Sequence, residues 1–439
     1  MEPVRSLARH LADAAARWPR ALALRTAERQ WTYPEWLAEV AALADTIDAS
    51  RDTLIVSGSS LDLARHAFAC SLKNRPFQPV DRAAKPVPWR DAPQERPLGC
   101  APPSFSWIPL PPGVALVIAT SGSEGEPRDV MLTVANLDAA AAAANRHLAL
   151  ASGDLWLDCL PLYHIGGLSI LWRCTRAGAG VLLHDGFAAA AVAAALTRYP
   201  VTHLSLVPAM LARLLDTGAL PPASLRHVLV GGAALAPSLH DRATAAGWPL
   251  NPSYGMSETA AQVATYTSVD GPWHEGLVGQ PLGASEFALS ADGRIRIRGP
   301  QVMAGYLDGS GVDADGWLTT GDLGKIDAKG RLTVTGRADD MLISGGRNVH
   351  PLEVESCLAG CPGVRDIAVT GLPDKVWGDL IVALVVGDAT AQGIADWCRP
   401  RLPGAAQPRR IVHLASLPRN ATGKLERSLL RQLAREARS

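Results

Sequence analysis

Short apolar runs alternate along the chain with stretches in which Leu and Ala recur every three or four positions, the pattern of strands interleaved with helices. Residues 53–58, 77–80, 114–119, 155–160, 180–184, 203–208 and 225–230 read as strands. Residues 6–18, 61–72, 137–150, 188–198 and 209–215 read as helices, the first carrying Leu7, Leu11 and Ala14 at helical spacing. Another helix is expected to run to about Ile47, with Thr32 as its N-cap and Glu35 completing a capping box. This alternation predicts α/β architecture. Residues 84–112, rich in proline and charge, read as a long irregular connection, and residues 251–259 as a turn of small and hydroxyl side chains.

The texture changes beyond about Leu277. Alternating segments such as 294–298, Arg-Ile-Arg-Ile-Arg, separated by Gly and Asp turns, predict a small β subdomain up to Val334. Beyond Gly336, residues 354–358 read as a helix, and 364–369 and 381–386 as strands. The expectation is a large N-terminal domain of α/β layers plus a β subdomain over 1–336, followed by a smaller α+β domain over 337–439.

Composition narrows the function. The chain has 439 residues, enough for more than one core, and 42 basic side chains balance 42 acidic ones. That balance argues against a nucleic-acid surface while leaving room for a small anionic ligand. Seven scattered cysteines without a CxxC pair indicate neither a disulfide framework nor a zinc site. Without an apolar signal core or a membrane-spanning run, a soluble cytoplasmic protein with no membrane insertion is expected. A homo-oligomer stays open.

The candidate chemistry lies at strand ends, where open α/β sheets bind ligands. After the strand at 114–119 come Thr120-Ser121-Gly122-Ser123-Glu124-Gly125-Glu126-Pro127-Arg128. Glycine lets backbone approach a phosphate and the hydroxyls add donors, although Walker A spacing is missing and an ordinary polar turn is the alternative. Glu258 fits a Mg²⁺ ligand shared with phosphate oxygens or, more simply, a carboxylate at a helix start. Asp322, in Thr320-Gly321-Asp322, suits two ribose hydroxyls or an Asx turn, and Arg337 adds charge near the same sugar. Lys424 could meet a developing negative charge. His164 lines a pocket or is structural. Arg173, in the apolar Ile170-Leu171-Trp172 context, needs a partner, and a substrate carboxylate would be one.

Thr120-Ser121-Gly122-Ser123, Tyr254-Gly255-Met256-Ser257-Glu258, Thr320-Gly321-Asp322, Gly336-Arg337-Ala338-Asp339-Asp340, Ser344-Gly345-Gly346 and Thr422-Gly423-Lys424, in this order, resemble the adenylate-forming superfamily of acyl- and aryl-CoA ligases, adenylation domains and luciferases. Within it, residues 160–173 and 202–208 resemble the o-succinylbenzoate-CoA ligases of menaquinone biosynthesis. The resemblance implies an acid-thiol ligase that uses ATP, Mg²⁺ and CoA to form an acyl-adenylate and then a thioester. It implies that Thr120, Ser121, Gly122, Ser123, Gly125 and Arg128 cradle the phosphates. Gly231, Gly232, Ala233, Tyr254 and Gly255 would frame the adenine, and Asp322 and Arg337 the ribose. Catalysis would fall to Lys424, Ser257 and the metal ligand Glu258. Arg173 and Ser205 would hold a distal substrate carboxylate, with His164 and Gln262 beside the acid. A mobile C-terminal domain would turn about Asp339, exchanging Lys424 for the Ser344-Gly345-Gly346 loop.

Three residues depart from the pattern. Glu124 replaces a threonine, Asp129 stands where glycine or alanine is common, and Gln262 where a small hydroxyl residue is frequent; the first two are expected to slow ATP use and the third clouds the identity of the acid. The alternatives are a ligase for another aryl or acyl acid, one that loads a carrier-protein thiol, or a non-catalytic binding protein on the same fold.

Overall fold

The computed structural model describes residues 4–48, 53–82, 110–120, 128–419 and 425–437. An eight-stranded sheet forms its centre. In spatial order it contains Ala261–Thr265, Leu250–Met256, His227–Val230, His203–Leu206, Leu155–Asp158, Gly180–Leu183, Leu22–Arg25 and Gln30–Thr32. Its interior pairs are parallel and its two edge pairs antiparallel. Leu155–Asp158, Gly180–Leu183 and His203–Leu206 are buried at every position, which is why they read as continuous runs instead of alternating ones.

A second sheet holds Gly305–Tyr306, Asp129–Thr133, Val114–Ala119, Phe77–Val80 and Leu54–Ser57. One core joins both sheets to the helices Leu7–Arg17, Tyr33–Ala44, Ser60–Leu72, Val134–His147 and Ile165–Ala177. Thr32 caps the second of these helices as expected, and Glu35 returns to its backbone N–H at 2.8 Å. The opposite face of the large sheet buries a separate core against Ala189–Arg198, Pro208–Asp216 and Pro237–Ala245.

The β subdomain is an antiparallel sheet of Leu277–Gly279, Leu332–Arg337, Leu318–Ile326, Arg294–Arg298 and Glu286–Leu289. Its alternating segment buries Ile295 and Ile297 and leaves the arginines outward. A fourth sheet begins at Leu342–Ser344 and is covered by Pro351–Ala359, Ala391–Cys398 and Arg427–Glu436. Among the described residues, its buried clusters include nothing before Leu342, and the preceding clusters include nothing after Val334.

Four local readings differ. The expected turn at 251–259 is the strand Leu250–Met256 followed by one helical turn, Ser257–Thr259; Pro252 and Gly255 disguise the strand, and a bulge between Tyr254 and Gly255 accommodates them. The strand expected over 155–160 stops at Asp158. Asp129–Thr133 and Ile165–Ala177 were not foreseen, because each carries a buried charge, Asp129 or Arg173, in an otherwise apolar run. Most of the irregular connection, residues 84–109, lies outside the described residues.

Candidate functional site

Two antiparallel strands flank the Gly/Ser segment. Val114–Ala119 and Asp129–Thr133 pair antiparallel up to Ala119 and Asp129, and Thr120 and Arg128 close the pair: Thr120 N–H donates to the Arg128 carbonyl at 2.7 Å, and Arg128 N–H to Thr120 Oγ1 at 3.0 Å. Ser121, Gly122, Ser123, Glu124 and Gly125 lie outside the described residues. Asp129 is turned into the sheet, where Gln78 Nε2 donates to it at 2.9 Å. This interior partner explains the departure from the pattern, since Asp129 serves the second sheet.

Arg128 leads to the metal candidate. Its guanidinium carbon stands 3.4 Å from the centre of the Tyr306 ring, and its nitrogens bind Asp308. The Tyr306 hydroxyl donates to Glu258 Oε1 at 2.8 Å. Burial, then the adjacent Glu258 charge, pushes the Tyr306 phenol up, so it remains a donor at neutral pH. Glu258 lies in the short turn Ser257–Thr259, directly before two non-glycine residues with left-handed backbone, Ala260 at φ 52° and Ala261 at φ 90°. Non-glycine residues in this region cost about 1–3 kcal/mol each, strain that fixes how the turn presents its carboxylate. Ser257 is partly exposed in the same turn. Tyr306 and Asp308 were missed in the sequence, where no periodicity marked them.

The same strand supplies the nucleoside side. The Tyr254 hydroxyl donates to Asp322 Oδ2 at 2.7 Å, and Arg337 Nη1 lies 3.3 Å from Asp322 Oδ1. Asp322 and Arg337 are register partners on neighbouring antiparallel strands, so the backbone itself holds them together. Burial, followed by Asp322, raises the Tyr254 phenol well above its ordinary value. Gly231 follows His227–Val230 and packs so closely on the next strand that a Cβ would stand 2.6 Å from Ser253 Oγ. Gly232, at φ 78°, and Ala233 are exposed beside it. Gly255 is equally constrained, since a Cβ would fall 2.1 Å from the Ala261 carbonyl oxygen.

The acid-side candidates lie deeper. His164 is the N-cap of Ile165–Ala177 and packs on Tyr163, with ring centres 4.6 Å apart. Arg173 is nine residues further on, about 13 Å along the axis. It is 3% exposed, lies 5.5 Å over the Trp156 ring, and its Nε has no hydrogen-bond partner. Burial pushes its pKa down to about 10. Trp156 Nε1 donates to Ser205 Oγ at 3.2 Å, so one indole links Arg173 with Ser205. Asp158, on the same strand face as Trp156, is wholly buried, with Oδ2 unpartnered and its pKa raised by burial. Gln262 is buried on Ala261–Thr265, which packs against the Arg173 helix; its Oε1 is also unpartnered. Unpartnered buried polar atoms cost about 1–3 kcal/mol each, so Arg173, Asp158 and Gln262 are positions where a polar ligand group would be stabilising.

At the change of core, Asp339 is held between Arg294 and Arg337 at 3.5 and 3.6 Å. Ser344-Gly345-Gly346 forms a tight hairpin turn with Gly345 at φ 56° and Gly346 at φ 74°, against the Trp377 ring. Lys424 lies outside the described residues. The structure thus links Arg128 to Glu258 through Tyr306, Thr120 to Arg128, and Tyr254 to Asp322 and Arg337, with Gly231 packed on the Tyr254 strand and Arg173 joined to Ser205 through Trp156.

A family described as AMP-binding enzyme matches residues 81–307, and one described as AMP-binding enzyme C-terminal domain matches residues 353–424. The chain belongs to the AMP-binding enzyme family. A 2-succinylbenzoate-CoA ligase of Bacillus mycoides (strain KBAB4) is 36% identical over 337 residues, 73% of this chain and 70% of the relative. The o-succinylbenzoate CoA synthetase of Bacillus subtilis, solved with the acyl-adenylate intermediate OSB-AMP, matches with a TM-score of 0.83 and 29% identity, over 96% of this chain and 97% of that one. Its complex with ATP and magnesium ion gives 0.81 at 28% identity, over 96% and 98%. A double mutant of that enzyme bound to the product analogue OSB-NCoA gives 0.67 at 28% identity, over 98% of both chains.

Proposed function

We propose that the chain is an ATP-dependent acid-CoA ligase acting on 2-succinylbenzoate. The observation that carries the reading is the buried Arg173, unpaired at Nε and joined through Trp156 to Ser205, beneath a strand end that gathers Glu258, Tyr254 and Asp322. A long acid with a second carboxylate fits that depth. The relatives named for 2-succinylbenzoate and its adenylate support the choice.

In the first step a carboxylate oxygen of the acid attacks the α-phosphorus of ATP, and the bond to the leaving pyrophosphate breaks. Thr120 and Arg128 hold the phosphate end, together with Ser121, Gly122, Ser123 and Gly125. Asp322 accepts from the ribose hydroxyls, while Tyr254, Gly231, Gly232, Ala233 and Gly255 frame the base. Glu258 would hold Mg²⁺, which when bound neutralises phosphate charge. Tyr306 keeps that carboxylate in one orientation. Lys424 stabilises the charge shared between the entering carboxylate and the α-phosphate. In the second step the CoA sulfur, having lost its proton, attacks the acyl carbon and AMP departs. For this step the part beyond 337 turns about Asp339, withdrawing Lys424 and bringing in the Ser344-Gly345-Gly346 hairpin. The TM-scores of 0.83 and 0.67 against two states of one relative are consistent with such a rearrangement.

The test is pyrophosphate release with a panel of aromatic and acyl acids, followed by acceptor assays with CoA and with a carrier-protein thiol. Release that depends on 2-succinylbenzoate, followed by CoA thioester formation, supports the reading. Acid binding without ATP turnover would leave a non-catalytic protein on this fold. Lys424→Ala should abolish adenylate formation and largely spare thioesterification of supplied acyl-adenylate.

A further inference from the structure

Each carboxylate oxygen of Asp339 faces its own guanidinium: Oδ1 meets Arg294 Nη2 at 3.5 Å and Oδ2 meets Arg337 Nη2 at 3.6 Å. Arg294 is steered there by Asp292, whose Oδ2 accepts from its Nε at 3.0 Å. Arg337 is anchored on the other side by Asp322 at 3.3 Å. Gly321 leaves the space for this arrangement. A Cβ there would stand 2.7 Å from Arg337 Nη2 and 3.0 Å from Asp339 Oδ2, and the Gly321 carbonyl already accepts from Ala338 N–H at 2.9 Å.

We propose that Arg294 is a positioning residue which, with Arg337, forms a two-arginine latch on Asp339 and holds the C-terminal part in the arrangement seen here. The inference rests on the two-step reading above, in which Asp339 is the pivot. Asp292 and Asp322 keep the two arginines in place on the β subdomain, so turning at Asp339 separates charges without moving their supports. Arg294 takes no part in either chemical step. Removing it lowers the population of the present arrangement and leaves the competing one untouched. Side-chain exposures of 32% for Arg294 and 29% for Asp339 place the pair at a half-buried site. An ion pair of this kind shifts a balance by about two- to fivefold, and salt weakens it.

The experiment compares wild type, Arg294→Met and Arg294→Lys. Adenylation is read as pyrophosphate release, and thioesterification is read from supplied acyl-adenylate and CoA, each at low and high salt. Independently, spin labels on cysteines introduced at Val269 and Val376, which are 92% and 81% exposed on the two sides of the pivot, report the distance distribution. The expected result for Arg294→Met is adenylation reduced about two- to fivefold with thioesterification equal or faster, and a ratio of the two that no longer responds to salt. Arg294→Lys keeps the wild-type ratio, and the Arg294→Met distance distribution shifts away from the present spacing. Equal loss in both half-reactions together with an unchanged distance distribution overturns the latch. If wild type turns over no acid at all, the proposed function fails, while the distance measurement still decides the latch.

Discussion

The Tyr306 hydroxyl donates to Glu258 Oε1 across 2.8 Å, and the ring carrying it lies under the Arg128 guanidinium. One aromatic side chain thus positions both the metal candidate and the phosphate candidate. Tyr306→Phe keeps the ring but removes the donor. A hydrogen bond to a charged group contributes about 1.5–3 kcal/mol, so kcat/KM for Mg·ATP should fall roughly tenfold or more, with the loss greatest at low magnesium. Unchanged magnesium dependence would show that the phenol only packs beneath Arg128.

Arg173 predicts a conflict between activity and stability. It is a buried cation whose Nε has no partner, and it stays charged at neutral pH because its pKa falls only to about 10. Because the buried Asp158 is its charge partner, Arg173→Met combined with Asp158→Asn should raise Tm by a few degrees, since a desolvated charge pair gives way to neutral side chains of similar reach. Arg173→Met should lower kcat/KM for 2-succinylbenzoate by about 10–100-fold while sparing acids without a distal carboxylate. Calorimetry and a substrate panel read the two effects separately.

His203 sets an acid limb. It is stacked between Trp156 and His227, and burial drives its pKa down to about 4 from an ordinary 6.5. A base with a depressed folded pKa binds fewer protons than in the unfolded chain between those values, so stability is complete above about pH 6.5 and falls as pH drops towards 4. His203→Phe should flatten that limb by about one proton's worth of slope. Tm measured from pH 8 to pH 4 tests it; an unaltered slope would assign the limb to other groups, such as His227, His147 and His184, whose pKa values burial also lowers.

The Gly345-Gly346 turn predicts a domain-specific defect. At Gly345, φ is 56° and a Cβ would stand 3.1 Å from the Trp377 ring. Gly345→Val should destabilise the C-terminal sheet by about 1–3 kcal/mol and slow thioesterification more than adenylation. Parallel slowing of both half-reactions would count against a role confined to the second step.

Legibility in the sequence followed the kind of signal each segment carried. Gly180–Leu183 was readable because parallel central strands are apolar on both faces, and the β subdomain because Ile295 and Ile297 alternate with outward arginines. Ile165–Ala177 was hidden both by the buried Arg173 and by Gly166 and Gly167 in its first turn. Gly167 is there for packing, since a Cβ would fall 2.8 Å from the Leu160 and Pro161 carbonyl oxygens. Leu250–Met256 was hidden by Pro252 and Gly255. Of the site, the phosphate, ribose and hinge candidates were reached through ordered motifs. Tyr306, Asp308, Asp158 and Arg294 were not, because their importance comes from partners 48, 180, 15 and 45 positions away in sequence: Glu258, Arg128, Arg173 and Asp339.

Two alanines, Ala260 and Ala261, hold left-handed backbone immediately after the Glu258 turn. Glycine at either position would relieve strain of about 1–3 kcal/mol, and the turn would lose the rigidity that fixes Glu258. Laboratory selection for heat resistance alone should therefore enrich glycine at these positions and return hardier proteins with poorer magnesium use, whereas selection for turnover should keep alanine. Sequencing the survivors of two such parallel campaigns would show whether durability and speed are opposed at this corner of the molecule.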